Sequence, residues 1–477
     1  MGFVGRHAEL DELSRLLADV ASGSRVDRGV AVLLRGRRRV GKSRLVTEFI
    51  SRCGAPSMYF QAARGAPIRV ELGLLTSAIA ESTLPNADLA TDNHPGSITA
   101  ALTLLAAALP TDVPSVVVID EAPWLIESVA GGAGELQRVW DRQLSAKPVL
   151  LLLLGSDLAM MEELSKPEQP LHGRATEMIL DVMNPRDVGQ MTGLGSFDAF
   201  DAHLITGGQP LVAQEWATGM TRDDFLMASF SRSTSALLVS GMRVLDSEFG
   251  ERTHARAVLS AIGGRGERTF SSITRSIVGD AEIAASTLNL SLTTLAKTRV
   301  VAYDEPLSTR PAAKDRRWRI ADPALRFWLA FVDPAIGEVD RGRPDLAMAR
   351  VAAGYDAWRG RAIEHTVRGA LGRLLPDADW PGVGTVGGWW PRSNVPEIDL
   401  IGADRAPARI VSFAGTIKWR VRGKVTSGEI TKLAEDSLAV PGVSSATPLV
   451  VVCPAGRAAD PRVSATWTAA DLLGAWR

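Results

Sequence analysis

Gly36-Arg37-Arg38-Arg39-Val40-Gly41-Lys42-Ser43 lies between an apolar run, Gly29 to Arg35, and an amphipathic stretch from about Lys42 to Ser51. The run reads as a buried strand and the stretch as a helix, so the glycine-bounded loop joins a strand end to a helix start. Backbone amides that converge at a helix N-terminus make a cradle for phosphate. Lys42 then reaches the outer phosphates of a nucleoside triphosphate, and the Ser43 hydroxyl is placed to bind magnesium. Gly36, Arg39, Val40, Gly41, Lys42, Ser43 and Arg44 are read as the ATP-binding loop.

A second segment supports this reading. Ser115-Val116-Val117-Val118-Ile119-Asp120-Glu121 is an apolar strand that ends in a carboxylate. Asp120 is expected to hold the metal together with Ser43, and Glu121 to orient and polarise the attacking water. A third strand, Val149 to Leu154, runs into Gly155-Ser156, which puts the Ser156 hydroxyl beside the metal strand, where it can sense the terminal phosphate. Arg174, in Leu171-His172-Gly173-Arg174, follows that strand. Its spacing fits a residue that stabilises charge on the transferred phosphoryl group, and equally a surface arginine.

Strands alternating with helical patterns imply an α/β fold with a parallel sheet, and 477 residues imply about three domains. The expected division is an ATPase core at 1–183, a helical lid at 184–250 and a winged helix at 251–333. A linker at 334–350 and a further α/β domain at 351–477 follow. Within the winged helix, Ser286 to Lys297 is read as the recognition helix, and Val300 to Tyr303 with Trp318 to Ile320 as a two-stranded wing. Strands are expected at Ile398 to Ile401, Arg409 to Phe413 and Pro448 to Cys453, after a helix from Tyr355 to Leu374.

Composition sets limits on function. Lys and Arg total 53 against 54 Asp and Glu, so no global positive field draws the chain to nucleic acid. Such a surface must be local, at Arg35 to Arg39, Arg310 to Arg319 or Lys418 to Lys424, each of which also reads as a solvated face. Apolar runs fall well short of the roughly 20 residues of a membrane span, and the start of the chain lacks the apolar core of a signal peptide. A cytoplasmic protein without a membrane partner is expected. Cys53 and Cys453 fit neither a disulfide framework nor a zinc site.

The chain resembles the archaeal-type AAA+ P-loop ATPases, in the branch found in archaea and bacteria that carries a winged helix and a C-terminal restriction-endonuclease-like domain. The resemblance rests on five segments: Phe3-Val4-Gly5-Arg6 with Glu9-Leu10, the Gly36 to Ser43 loop, Val116 to Glu121, Leu171 to Arg174, and Arg319 to Trp328. It implies that Phe3 and Arg6 lie near the adenine, that Arg174 is an arginine finger between subunits, and that the chain forms a homo-oligomer. Winged helices read double-stranded DNA or serve as protein contacts, and the sequence does not choose. Arg310, Lys314, Arg316, Arg317 and Arg319 would be the wing's phosphate contacts.

The C-terminal segment resembles the PD-(D/E)XK nucleases, with Glu364, Asp399 and Lys418 at the matching positions. Thr416 stands where that pattern has an acid. A hydroxyl is a weaker magnesium ligand than a carboxylate, so little or no cleavage is expected unless Glu429 or Glu435 substitutes. Three readings follow: a Mg-dependent ATPase acting on DNA or a partner, a nucleotide-gated scaffold or switch, and an ATP-regulated nuclease.

Overall fold

The computed structural model describes residues 2–22, 28–156, 158–167, 169–241, 253–277, 284–310 and 313–477, and the end of the segment read as a lid, 242–250, lies outside them. They fall into two units, Met1–Val182 and Met183–Arg477.

In the first unit, β1 (Val30–Arg35), β2 (Ser57–Gln61), β3 (Ser115–Asp120), β4 (Val149–Gly155) and β5 (Ala175–Ile179) form a parallel sheet in the order β2-β3-β4-β1-β5. Side chains alternate between its faces: Val32, Leu34, Val116 and Leu152 pack on one side, and Ala31, Leu33, Val117 and Leu151 on the other. With helices covering both faces, the central strands are apolar without interruption, which is why β1, β3 and β4 stand out in the sequence. β2 and β5 do not. Ser57 and Gln61 bound β2, and Thr176 and Glu177 on the edge strand β5 face solvent.

The connection from β1 through helix Lys42–Cys53 to β2 passes over β4 and β3. The C-terminal ends of β1, β4 and β3 therefore lie side by side, where sheets of this class bind ligands.

The second unit is organised around a core that runs from Met183 to Leu472. Helix Pro185–Thr192 starts where Asn184 accepts a hydrogen bond from the Asp187 amide and proline occupies the first turn. Helix Ser196–Thr206 follows, and its Phe197 and Phe200 rings lie against Trp419. The segment read as a lid thus shares a core with the C-terminal strands.

Helices Thr253–Ile262, Phe270–Ile277 and Ala285–Lys297 accompany an antiparallel sheet of β6 (Arg268–Thr269), β7 (Val301–Asp304) and β8 (Arg317–Ile320), ordered β6-β8-β7. The extra strand, β6, is two residues long and leaves no periodic signal. The mixed sheet comprises β9 (Thr385–Trp389), β10 (Ile398–Ala403), β11 (Val411–Ile417), β12 (Leu449–Val452) and β13 (Val463–Trp467), in chain order and antiparallel up to β11.

Residues 334–350, read as a linker from their charge and Gly/Pro content, are largely helical. Helix Ile336–Asp340 is followed by a 31-residue helix, Pro344–Leu374, in which Pro344 takes a first-turn position. Ala335 and Ala347 are fully buried, so this stretch belongs to the core. Among the described residues no helix is long and apolar enough to cross a membrane.

Candidate active site

The loop from Gly36 to Ser43 is held by specific backbone geometry. A Cβ on Gly36 would come within 2.5 Å of the Leu180 carbonyl oxygen. Gly41 has φ 94°, which favours glycine, and Arg39 adopts φ 68°. The Lys42 ammonium, on a residue only 6% exposed, donates to the Gly36 oxygen at 2.7 Å and the Arg37 oxygen at 3.2 Å. It is folded back over the loop, positioned to turn towards an anion there. Ser43 and Arg44, in the first turn of helix Lys42–Cys53, are exposed.

At the end of β3, Asp120 Oδ2 accepts from the Ser43 hydroxyl at 2.6 Å and from the Tyr59 phenol at 2.6 Å. Burial pushes the Tyr59 phenol upward, and its bond to Asp120 adds to the shift, so it stays a donor. Glu121 has φ 53°, an uncommon value for this residue type. That backbone brings its carboxylate to Ser156, whose Oγ donates to Oε1 at 2.5 Å and whose amide donates to Oε2 at 3.2 Å. A hydroxyl and a carboxylate together form an oxygen donor set that suits a hard cation such as Mg2+, so the residues present fit the implied metal.

Around this centre the other residues take different places. Arg6 is buried and donates to the carbonyls of Val40 at 3.0 Å and Asp181 at 2.7 Å, tying the start of the chain to the loop. Phe3 packs on the core face beneath helix Lys42–Cys53, with the Arg52 guanidinium 5.8 Å from its ring centre. Arg174 makes a two-pronged pair with Asp141, at 2.7 and 3.0 Å. Tyr59 escaped the sequence reading because β2 is short and bounded by polar residues.

The nuclease-like positions lie in the second unit. Asp399 Oδ2 accepts from the Thr416 hydroxyl and the Ile417 amide, both at 2.8 Å. Arg368 reaches Glu364 Oε2 at 3.0 Å and the backbone carbonyl of Asp399 at 2.8 Å, so its guanidinium pairs with one of the two carboxylates. Burial pushes the Glu364 carboxyl up to about 8, against the pull of Arg368. Lys418 lies just past β11 and does not line the cavity that Glu364 and Asp399 share. Glu429 completes the cap of helix Ser427–Ser437 and pairs with Arg420 at 2.8 Å, so it is not turned to this site. Arg368 was missed, although its spacing four residues after Glu364 on a helix is a visible pairing signal.

The arginines expected to serve a wing are largely committed. Arg316 pairs with Glu305, Arg317 with Glu397 and Glu267, and Arg319 with Asp304. Glu267, Asp304 and His365 converge within 4.8 Å, but these arginines already neutralise both carboxylates. Burial lowers the His365 imidazole to about 4, which leaves it neutral.

A family model described as archaea bacterial proteins of unknown function matches residues 328–430. An uncharacterized protein of Methanocaldococcus jannaschii is 23% identical over 316 residues, covering 64% of this chain and 67% of that one. Among solved structures, the Walker-type ATPase of Pyrococcus abyssi superposes with a TM-score of 0.50 at 19% identity, over 69% of this chain and 96% of that one. The Aeropyrum pernix ORC2 protein gives a TM-score of 0.44 at 14% identity, over 72% and 95%. The chain has the α/β fold of a P-loop ATPase, with a mixed-sheet domain at its C-terminal end.

Proposed function

We propose that the chain binds ATP with magnesium and hydrolyses it at the strand ends of the first unit. The observation that carries this reading is the convergence of Ser43 on Asp120 and of Ser156 on Glu121, beside the loop folded around Lys42. Lys42 exchanges its loop carbonyls for the outer phosphates. Ser43 and Asp120 hold the metal, which supplies charge neutralisation for phosphoryl transfer. Glu121 accepts a proton from the attacking water, and Ser156 fixes the direction of that carboxylate. Phe3 and Arg6 border the adenine end, and Arg174 acts on the phosphate of a neighbouring copy in a homo-oligomer.

Calorimetric titration with ATP and magnesium tests the reading. Wild-type chain is expected to release heat on binding and Lys42→Ala none, and no binding by folded wild type would overturn it.

The second unit gives the ATPase something to act on. We read 184–250 as the lid, 251–333 as a winged helix and 351–477 as a nuclease-like domain kept for recognition, with DNA as the partner. The three helices against the antiparallel sheet β6-β8-β7 support the winged-helix reading. Thr416, which binds Asp399 at the place of an acid, and Arg368, which pairs with Glu364, speak against an ATP-regulated nuclease, because a hydroxyl is a weak metal ligand and Glu364 is already engaged. ATP turnover stimulated by DNA is the expected result, and turnover indifferent to DNA would favour a nucleotide-gated scaffold.

A further inference from the structure

We propose that a cavity of the second unit holds a single nucleic-acid strand by its phosphates, a reading that rests on the nucleic-acid partner above and names where it binds. The outer cavity, about 330 Å³, opens beside helix Phe270–Ile277 and is lined by Arg268, Thr269, Ser272, Arg275, Arg361 and Asn394. A smaller inner cavity, about 200 Å³, is lined by Arg326, Glu364 and Asp399 and shares Glu267, Arg361 and Glu397 with the outer one, so acids outnumber guanidiniums there and the phosphates stay in the outer cavity.

Charge accounting favours an anion in the outer cavity. Both of its glutamates are paired to one arginine, Arg317, at 2.6 and 3.5 Å. Arg268, Arg275 and Arg361 have no carboxylate partner among the described residues, so the lining carries excess positive charge. Thr269, Ser272 and Asn394 add hydrogen-bonding groups around them.

The inner cavity is built differently. Arg326 is only 4% exposed, and its Nη2 is buried without a hydrogen-bond partner. Burial lowers this guanidinium to about 10, so it is still charged at neutral pH. The carboxylates of Glu267, Glu364 and Asp304 already support its charge, so Arg326 is a cation set among acids and not an anion site.

Other surfaces fit less well. Helix Ala285–Lys297, the expected recognition helix, carries a single basic residue, Lys297. Three of the five wing cations are spent on Glu305, Glu397 and Asp304. Size then selects the form of nucleic acid. A cavity of about 330 Å³ is at the small-ligand end of binding pockets and accepts a nucleotide or two of one strand, whereas a duplex with a major groove about 12 Å wide cannot enter.

The test is fluorescence anisotropy on the full-length chain with a short labelled single strand, across a salt series. Arg268 and Arg361 are exposed, so the double variant R268A/R361A is expected to fold and to hydrolyse ATP like wild type. Losing two phosphate contacts is expected to weaken strand binding at least tenfold and to reduce the slope of log affinity against log salt by about 1.4. Lys314→Ala on the wing is the control and should change neither. Wild-type affinity and slope in the double variant overturn the cleft while leaving a nucleic-acid partner standing, as does tighter binding of blunt duplex than of single strand. A wild type that hydrolyses ATP but binds neither strand nor duplex overturns the partner itself.

Discussion

Ser156 directs both of its donors at one side chain, with Oγ 2.5 Å and the amide 3.2 Å from the two carboxylate oxygens of Glu121. The grip is made across neighbouring strand ends, because Glu121 follows β3 and Ser156 follows β4. Replacing Glu121 by Gln keeps the shape but removes the proton acceptor, so steady-state turnover should fall by about 10²–10⁴ with ATP binding retained. Ser156→Ala loosens the carboxylate without removing it and should lower kcat about tenfold at nearly constant KM. Normal hydrolysis by Glu121→Gln would show that another group takes the proton.

Tyr59 and Ser43 donate to the same oxygen of Asp120. If that oxygen turns to the metal when nucleotide binds, Tyr59 matters most in the empty protein. Tyr59→Phe should then lower the nucleotide-free Tm by several degrees, as expected for a bond to a charged group worth about 1.5–3 kcal/mol, and lower it much less with saturating Mg-ATP. Equal losses in both states would make Tyr59 a purely structural partner.

Arg368 pairs with the Glu364 carboxylate, and Thr416 binds Asp399 where an acid would bind the metal. Plasmid incubated with wild type and magnesium or manganese should remain intact. Thr416→Glu alone should not create cutting, because Glu364 stays paired with Arg368. Cleavage abolished by Asp399→Ala would overturn this reading.

The legible parts of the chain are those where burial on both sides imposes one kind of residue. β3 could be placed to the residue because each of its positions is buried, and the loop before Lys42 because its glycines serve backbone positions. β5 and β6 were not legible, one half-exposed at an edge and the other two residues long. The linker reading failed at Pro344, where a charged, proline-containing stretch is the first turn of a helix whose apolar face appears only from Ala347 onward. In the second unit Glu364 and Asp399 could be named individually. Arg368 could have been read as the partner of Glu364 from its spacing on the helix, but its bond to the Asp399 carbonyl depends on how the long helix docks on the mixed sheet.

The Glu364 carboxyl, raised to about 8 by burial, has a definite consequence for pH. Its folded value lies above the ordinary carboxylate value, so between about 4.5 and 8 the folded chain holds a proton that the unfolded chain has released. Its contribution to stability therefore falls as pH rises through that window. Denaturant titrations should show wild type losing on the order of a few kcal/mol relative to Glu364→Gln between pH 5 and 8. Parallel pH profiles for the two proteins would place Glu364 in a wetter setting than the structure gives it.

Arg174 is held by Asp141 through two hydrogen bonds, yet both side chains are substantially exposed, at 33% and 40%. Pairs in such settings contribute about 0–1 kcal/mol, little enough for a phosphate on a neighbouring copy to displace Asp141. Asp141→Asn should therefore raise turnover, by at most about fivefold, since the guanidinium no longer has to leave a carboxylate first. Arg174→Ala should hydrolyse poorly alone. Mixed with Glu121→Gln chains, it should regain activity, because one subunit's glutamate then works with its neighbour's arginine. An inactive mixture, with both variants assembled, would assign Arg174 to its own subunit or to the surface.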